Sequence, residues 1–273
     1  MGEKIILNNV SIYWEQHGQP KTSGAPILVF LHGYLSSCFS FRLLIPYLKD
    51  DFTILAFDLP GFGQSEKSRH FLYTLHNYGK LVLDFLRYVD VPECVLVGHS
   101  MGGQVALNAV WQSPERIQKV VGISAAGYMG RVRRSIVAAT YLPFFHRILM
   151  RYFKKRDIMK MFLDVTYDKA IINKEMMTGY LEPLLEPAFY HSLIRLARHR
   201  EGDLPPAALK KIQTPTLLLW GREDQIVPVS IGDRFSRDLP HAELIVYDKA
   251  GHLLPEEKPK EVAAAIRRFV KAK

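Results

Sequence analysis

The chain has 273 residues but few of the residues that build disulfide frameworks or metal centres. Its two cysteines form no pattern typical of a disulfide, metal or redox site, with Cys38 in a predicted loop and Cys94 at the start of a predicted strand. We therefore expect two reduced thiols in a cytoplasmic protein. Ten histidines are present, yet none stands near other ligand residues at the spacing of a known metal site. The sequence predicts neither a metal nor a cofactor.

Long apolar runs are also missing. Residues 1–4 lead into a segment that contains polar residues and not into a continuous apolar stretch. We therefore expect no signal peptide and no transmembrane span. The hydrophobic content of 48% is nevertheless sufficient for one substantial core in a chain of this length.

Short apolar segments alternate with amphipathic segments along most of the chain. This alternation predicts an α/β fold, a mainly parallel twisted sheet flanked by helices on both faces. An antiparallel pair of strands, 5–7 and 11–15, is predicted to turn at Asn8 and Asn9. The other predicted strands are 27–31, 53–57, 94–97, 119–124, 216–220 and 244–246. The predicted helices are 41–49, 75–89, 101–112, 229–238 and 259–271.

Residues 95–103 carry the most informative pattern, Val-Leu-Val-Gly-His-Ser-Met-Gly-Gly. Ser100 stands between an apolar strand and a helix, in the Gly-x-Ser-x-Gly frame of a serine on a tight strand-to-helix turn. Gly98 and Gly102 fit this turn because the backbones on either side pass too closely for a Cβ atom. The N-terminus of the helix favours negative charge that develops at the serine. The pattern indicates a nucleophile, and the alternative is a serine that only caps the helix.

A serine hydroxyl is a weak nucleophile unless a histidine accepts its proton and a carboxylate orients that histidine. The chain has both residue types downstream, each after a predicted strand. Asp224 follows the strand 216–220, and His252 follows the strand 244–246. Because the carboxyl ends of parallel strands meet at one edge of a sheet, we expect Ser100, Asp224 and His252 to converge there.

Five segments of the chain, in this order, resemble the α/β-hydrolase fold family. They are Leu31-His32-Gly33-Tyr34, Phe57-Asp58-Leu59-Pro60-Gly61-Phe62-Gly63-Gln64-Ser65, Gly98-His99-Ser100-Met101-Gly102-Gly103, Trp220-Gly221-Arg222-Glu223-Asp224 and Ala250-Gly251-His252. The resemblance implies that Ser100 is the nucleophile, Asp224 the orienting acid and His252 the general base. It also implies that the backbone N–H groups of Tyr34 and Met101 form the oxyanion hole.

Single residues narrow the chemistry that the resemblance implies. Haloalkane dehalogenases and epoxide hydrolases of this fold use an aspartate nucleophile, so Ser100 argues against both. Carbon–carbon bond hydrolases often have tryptophan after the catalytic histidine, where this chain has Leu253. We therefore expect a carboxylesterase that cleaves carboxylic esters through an acyl-enzyme intermediate. The alternatives are a carbon–carbon bond hydrolase, a perhydrolase-like enzyme with the same triad, and a non-catalytic ligand-binding member of the fold.

Residues 127–208 separate two predicted core strands and are too many for a simple connection. The resemblance implies that they form a helical cap over a core domain made of residues 1–126 and 209–273. Aromatic and methionine side chains are frequent in this insertion. We expect them either to line a pocket for the apolar part of a small-molecule ester or to pack the cap onto the core.

Basic residues are concentrated at the start of this insertion. Nine basic residues and one acidic residue, Asp157, give residues 127–160 a formal charge of +8, out of +9 for the whole chain. Such a stretch is suited to weak contact with anionic membranes or to acidic substrates, whereas no nucleic-acid-binding motif is present. The simpler alternative is a solvated cap surface. The nine residues are Arg131, Arg133, Arg134, Arg147, Arg151, Lys154, Lys155, Arg156 and Lys160.

Overall fold

A computed structural model gives the fold and describes residues 2–155 and 158–272. Arg156 and Asp157, which contribute to the basic stretch, lie outside the described residues, as do the side chains of Lys154 and Lys155. Within the described ranges, no helix combines the length and the apolar character needed to cross a bilayer.

One sheet contains the eight strands found in the described residues. They are β1 (Glu3–Leu7), β2 (Val10–Gly18), β3 (Ile27–Leu31), β4 (Thr53–Phe57), β5 (Cys94–His99), β6 (Ile117–Ile123), β7 (Thr216–Gly221) and β8 (Ala242–Tyr247). Their order across the sheet is β1-β2-β4-β3-β5-β6-β7-β8. The pairs β1–β2 and β2–β4 are antiparallel, and the remaining pairs are parallel. The predicted α/β fold with a mainly parallel sheet is confirmed.

Eleven α-helices accompany the sheet in the described part of the chain. They are α1 (Leu75–Tyr88), α2 (Met101–Gln112), α3 (Arg134–Ala139), α4 (Phe145–Lys155), α5 (Ile158–Val165), α6 (Lys174–Leu181), α7 (Pro187–His199), α8 (Pro206–Leu209), α9 (Val229–Asp238), α10 (Leu254–Glu257) and α11 (Pro259–Lys271). Residues of α1 and α2, such as Tyr78 and Val105, belong to one apolar cluster. Val262 and Ile266 of α11 belong to a second cluster. Helices thus cover both faces of the sheet, and β5 in its middle is buried along its whole length.

The prediction of an α-helix at 41–49 is wrong. The chain forms two short 3₁₀ turns there, Cys38–Phe41 and Ile45–Tyr47. Pro46 has no N–H to donate, and this favours a short turn over a continuous α-helix. The buried side chains of Leu44 and Leu48 produce the helix-like apolar spacing, but they reach the core from irregular backbone.

The two cysteines are buried and free. Cys94 begins β5, as predicted. Cys38, predicted to lie in a loop, begins a 3₁₀ turn instead. Its backbone N–H donates to Asp58 Oδ1 over 2.7 Å, which fixes the start of that turn against the loop after β4.

Helices α3 to α7 lie between β6 and β7, inside the stretch 127–208. Four buried side chains of α7, Phe189, Tyr190, Leu193 and Leu196, belong to the large apolar cluster that also contains residues of α1 and α2. Phe162 and Met176 instead form a small cluster with Leu253. This small cluster joins the inserted helices to the loop that follows β8.

Candidate active site

Ser100 occupies a one-residue turn between β5 and α2. Its φ of 51° and ψ of −117° are sparsely populated by residues with a side chain. Two backbone hydrogen bonds hold this conformation: Ser100 N–H donates to the Ile123 carbonyl over 3.0 Å, and Ala126 N–H donates to the Ser100 carbonyl over 2.9 Å. The end of β6 therefore fixes the position of the serine.

Neighbouring backbones approach this turn too closely for side chains. A Cβ atom on Gly102 would lie 2.0 Å from the carbonyl oxygen of Leu31, and one on Gly98 would lie 2.4 Å from the carbonyl oxygen of Gly102. Both contacts are with backbone atoms, which cannot rotate away. The Gly-x-Ser-x-Gly frame is thus a steric requirement of the turn.

Asp224 and His252 meet at the same edge of the sheet. Asp224 follows β7, His252 follows β8, and His252 Nδ1 lies 2.8 Å from Asp224 Oδ2. The other carboxylate oxygen, Oδ1, accepts from the N–H groups of Ile226 at 2.9 Å and Val227 at 2.8 Å. These two bonds fix the carboxylate, so Oδ2 remains directed at the imidazole.

The backbone of His252 is held on both sides. Its N–H donates to the carbonyl oxygen of Val165, at the end of α5, over 2.9 Å. Its carbonyl oxygen accepts from Nε2 of His99 over 2.9 Å, while Nδ1 of His99 is buried without a partner among the described residues. Burial and, to a lesser extent, the neighbouring His252 lower the pKa of His99 to about 3. His99 is therefore a neutral donor.

Glu257 ties the inserted segment to the His252 loop. Its Oε2 accepts from the N–H groups of Tyr167 at 2.8 Å and Asp168 at 3.0 Å, and its Oε1 accepts from Gly251 N–H at 2.8 Å. Burial raises the pKa of Glu257, while these three donors oppose the shift. The carboxylate therefore joins the backbone of Tyr167 and Asp168 in the inserted segment to that of Gly251 beside His252.

A second carboxylate, the buried Glu256 of α10, links the inserted helix α6 to the segment between β3 and β4. Its Oε1 accepts from Arg42 Nη1 at 2.8 Å and from the hydroxyl of Tyr180, on α6, at 2.7 Å. Burial, with Glu256 beside it, raises the pKa of Tyr180 well above its ordinary value, so the phenol remains a donor. No sequence signal pairs these residues, because Arg42 and Glu256 are far apart in the chain.

The loop after β3 brings Tyr34 beside the serine. A Cβ atom on Gly33 would lie 3.0 Å from Ser100 Cβ, so this loop passes directly along the turn. Within the described residues, no acceptor is found for the N–H groups of Tyr34 or Met101. The Met101 N–H is the first of α2, where the helix dipole favours an anion. The structure thus brings both predicted oxyanion donors to the loops around Ser100.

Ser100 and His252 line one cavity of about 290 Å³. Much of its wall comes from the inserted helices, which contribute apolar side chains such as Phe162 and Val165. Asp164 also lines the cavity, whereas none of the lysines and arginines described by the structure does. The cavity at Ser100 is therefore lined mainly by apolar side chains, and Asp164 is the one carboxylate among its described lining residues.

A second, larger cavity of about 730 Å³ lies beside the first, among the inserted helices. Met161, Leu181 and Leu184 line both cavities. Three flexible apolar side chains are therefore shared by the two spaces.

Comparisons with known proteins agree with this geometry. Residues 26–259 match the sequence profile of the alpha/beta hydrolase fold. The chain is 45% identical over 268 residues to an uncharacterized hydrolase of Bacillus subtilis, YugF, covering 98% of this chain and 97% of that protein. It is 26% identical over 281 residues to the 2-hydroxymuconate semialdehyde hydrolase of a Pseudomonas species, covering 99% and 94%. The solved structure of a 2-hydroxy-6-oxo-6-phenylhexa-2,4-dienoate hydrolase from Rhodococcus has a similar fold, with a TM-score of 0.82 and 24% identity over 100% of this chain and 99% of that one.

Proposed function

The chain belongs to the α/β-hydrolase fold family, and on this basis we propose that it is a serine hydrolase that cleaves carboxylic esters. One observation carries the proposal: His252, hydrogen-bonded to Asp224 over 2.8 Å, lines the same cavity as a serine on a strained turn. An imidazole oriented in this way is the base that a serine hydroxyl needs.

In the acylation step, Ser100 Oγ attacks the carbonyl carbon of the ester while His252 Nε2 accepts the hydroxyl proton. The contact of 2.8 Å with Asp224 keeps the proton of the neutral imidazole on Nδ1, so Nε2 has a free lone pair. The N–H groups of Tyr34 and Met101 stabilise the tetrahedral oxyanion. Collapse of this intermediate breaks the carbon–oxygen bond of the ester, and the leaving alkoxide receives the proton from His252.

In the deacylation step, a water molecule attacks the acyl-enzyme and gives its proton to His252. The second tetrahedral intermediate expels Ser100 Oγ, which takes the proton back from the imidazolium. The products are a carboxylic acid and an alcohol, and Ser100 and His252 return to their starting protonation states.

Residues 127–208 serve, in this proposal, as a helical cap on a core of residues 1–126 and 209–273. The cap supplies the apolar wall of the reaction cavity, including Phe162 and Val165. The larger cavity beside it is suited to the apolar part of a substrate that extends past the shared side chains Met161, Leu181 and Leu184. We infer an ester whose acyl or alcohol group is apolar and uncharged.

The relatives give a second candidate function, hydrolysis of a carbon–carbon bond. The substrate names of those enzymes, a muconate and a dienoate, denote carboxylates. Here a substrate carboxylate in the reaction cavity would share it with Asp164, with no lysine or arginine among the described lining residues. The larger cavity has one lysine, Lys174, but it is also lined by Glu182. An unpaired anion beside an acidic group is unfavourable, which favours the uncharged ester.

Hydrolysis of p-nitrophenyl esters of increasing acyl length tests the proposal, together with labelling by a fluorophosphonate probe. We expect the wild-type protein to turn over the esters and to be labelled at Ser100, and Ser100→Ala to lose both. Loss of the nucleophile in comparable triads lowers turnover roughly 10⁶-fold. Labelling at another residue, or cleavage of a dienoate in preference to every ester, would contradict ester hydrolysis.

A further inference from the structure

The first part of the cap presents an outward-facing apolar surface. Tyr141, Leu142, Phe144 and Ile148 are more than half exposed, at 68%, 58%, 61% and 56%. On the inner side of α4, Met150 is instead partly buried against the core cluster. The apolar residues on the outer side are therefore additional to those that the packing of the cap requires.

Exposed arginines occur in the same segment as these apolar side chains, and the guanidinium of Arg147 lies 4.8 Å from the centre of the Phe144 ring. Arg131, Arg133, Arg134, Arg147 and Arg151 are all exposed, and no aspartate or glutamate occurs in residues 127–155. No ion pair joins any of the five to an acidic group in the described ranges. We call the exposed side chains of residues 131–151 the 131–151 surface. It combines positive charge that no ion pair neutralises with exposed apolar side chains.

Two cationic depressions adjoin at the 131–151 surface. The first has a volume of about 340 Å³, and Arg69 and Arg195 are among its lining residues. The second has a volume of about 470 Å³, and Arg131 is among its lining residues. Tyr141 and Arg198 line both, and no acidic residue of the described chain lines either one.

The first depression contains a hydrogen-bond donor that is available to an anion. Arg195 Nε is buried and has no hydrogen-bond partner among the described residues. The rings of His146 and His191 lie 4.3 Å apart, and burial, then His146 and Arg69, lower the pKa of His191. An anion bound here would offset the repulsion between these groups and give Arg195 an acceptor.

Arg198, between the two depressions, is already fixed in place. Its Nε donates to Thr140 Oγ1 over 2.8 Å, and its guanidinium lies 3.9 Å from the centre of the Tyr141 ring. The exposed ring of Tyr141 is thereby held between two cationic sites. A single soluble anion would occupy one depression and leave the apolar side chains between them in water.

We propose that the 131–151 surface docks on an anionic phospholipid bilayer. Lipid phosphates enter the two depressions, and Tyr141, Leu142 and Phe144 enter the boundary between headgroups and acyl chains. Basic and aromatic side chains on one face are the combination that such an interface binds. The inference goes beyond ester hydrolysis, because it depends on no residue of the reaction cavity.

Co-sedimentation with vesicles tests the proposal, using the full chain with Ser100→Ala so that lipid hydrolysis cannot interfere. We expect binding to an equal mixture of phosphatidylcholine and phosphatidylglycerol, no binding to phosphatidylcholine alone, and release at high salt. The triple variant Arg131→Gln, Arg134→Gln, Arg147→Gln is expected to lower partitioning about a hundredfold, or about fivefold for each charge. Equal binding to neutral and anionic vesicles would overturn the proposal.

Two matched variants make the result specific. Lys211→Gln, Arg237→Gln, Lys260→Gln removes the same charge from exposed sites outside the cap and is expected to retain binding. Tyr141→Ser, Phe144→Ser leaves the charge unchanged and is expected to lose most of it. An equal loss in the remote triple variant, or full binding by the serine variant, would overturn docking on this surface.

A soluble-anion arm distinguishes a lipid headgroup from a free phosphate. Calorimetric titration with inorganic phosphate is compared for the wild-type protein and Arg69→Gln, Arg195→Gln. Phosphate binding that accompanies anionic vesicle binding, both weakened in this variant, supports the proposal. Phosphate binding without vesicle binding would overturn it and assign the first depression to a small soluble anion.

Discussion

The backbone N–H of His252 donates to the backbone carbonyl oxygen of Val165 over 2.9 Å. Val165 ends α5, so a helix inserted between β6 and β7 holds the histidine that follows β8. The insertion therefore contributes to the position of the proposed base as well as to the wall of the cavity. A displacement of α5 would move the imidazole relative to Ser100.

Gly251→Ala tests this dependence. The new Cβ would lie 2.8 Å from Tyr167 N and 3.0 Å from Val165 O, both of them backbone atoms. The inserted segment at residues 165–167 must shift to make room, and a misplacement of about 1 Å at a catalytic group lowers turnover roughly 10²-fold. We expect this loss in kcat for a short soluble ester, with the fold intact by circular dichroism.

Gly130→Ala is the matched control, because a Cβ atom there meets nothing within 4 Å. It is expected to retain wild-type kcat. If Gly251→Ala were as active as Gly130→Ala, the contact between Val165 and His252 would have no role in positioning the base.

Asp224→Asn is expected to lower kcat roughly 10⁴-fold, because an amide no longer holds the proton on Nδ1 of His252. The adjacent Glu223→Gln is expected to have a small effect. Glu223 Oε2 accepts from Ala250 N–H over 3.0 Å, and a glutamine oxygen can accept the same bond. Steady-state kinetics on one ester compare the two variants, and equal losses would remove the distinction between the two acids.

The folded protein is expected to lose stability as the pH falls below about 6.5, in part because of His99. Its pKa is lowered from 6.5 to about 3, so between these values the unfolded chain binds a proton that the folded chain excludes. Above pH 6.5, His99 does not reduce the free energy of unfolding. As the pH falls from 6.5 towards 3, the free energy of unfolding decreases by about 1.4 kcal/mol per pH unit.

Urea unfolding at pH 7 and pH 5 measures this effect against His99→Gln. We expect the wild-type protein to lose about 2 kcal/mol more than the variant over this range. His32 is also buried, which lowers its pKa, but it is present in both proteins and cancels in the comparison. Parallel losses in the two proteins would mean that His99 is protonated without penalty in the folded state.

Leu184→Phe is expected to change the preferred acyl length. Leu184 lines both the reaction cavity and the larger cavity beside it, so a bulkier side chain narrows the passage between them. The ratio of kcat/KM for a long-chain ester to that for acetate should fall about tenfold. Leu72→Phe, at an exposed position away from both cavities, is the control. An unchanged ratio in Leu184→Phe would exclude the larger cavity as the site of the acyl chain.

The sequence predicts those features whose cause is local. The turn at Ser100 can be predicted because Gly98 and Gly102 are its near neighbours in the sequence. The positions of Asp224 and His252 can be predicted because each residue follows an apolar strand by only a few residues. The hairpin at Asn8 and Asn9 forms as predicted, with both residues at positive φ. The helix predicted at 41–49 is wrong because apolar spacing reports which side chains are buried and not the hydrogen bonds of the backbone.

The contacts between the inserted helices and the rest of the fold are not predictable from the sequence. The hydrogen bond between Val165 and His252 joins two backbone groups, so no side-chain type in the sequence marks it. Glu256 is paired with Arg42 and Tyr180 across the fold, and its place beside Glu257 resembles an ordinary acidic helix start. Long-range contacts of this kind depend on the tertiary arrangement of the inserted helices.

The backbone conformation of Ser100 makes the native state less stable than it would be with glycine at this position. A residue with a side chain at φ 51° and ψ −117° carries a conformational penalty of about 1–3 kcal/mol, which glycine would largely avoid. Ser100→Gly would therefore be a stabilising change that removes the hydroxyl. A design for thermostability alone would therefore place glycine here, and the serine hydroxyl is present at the expense of resistance to unfolding.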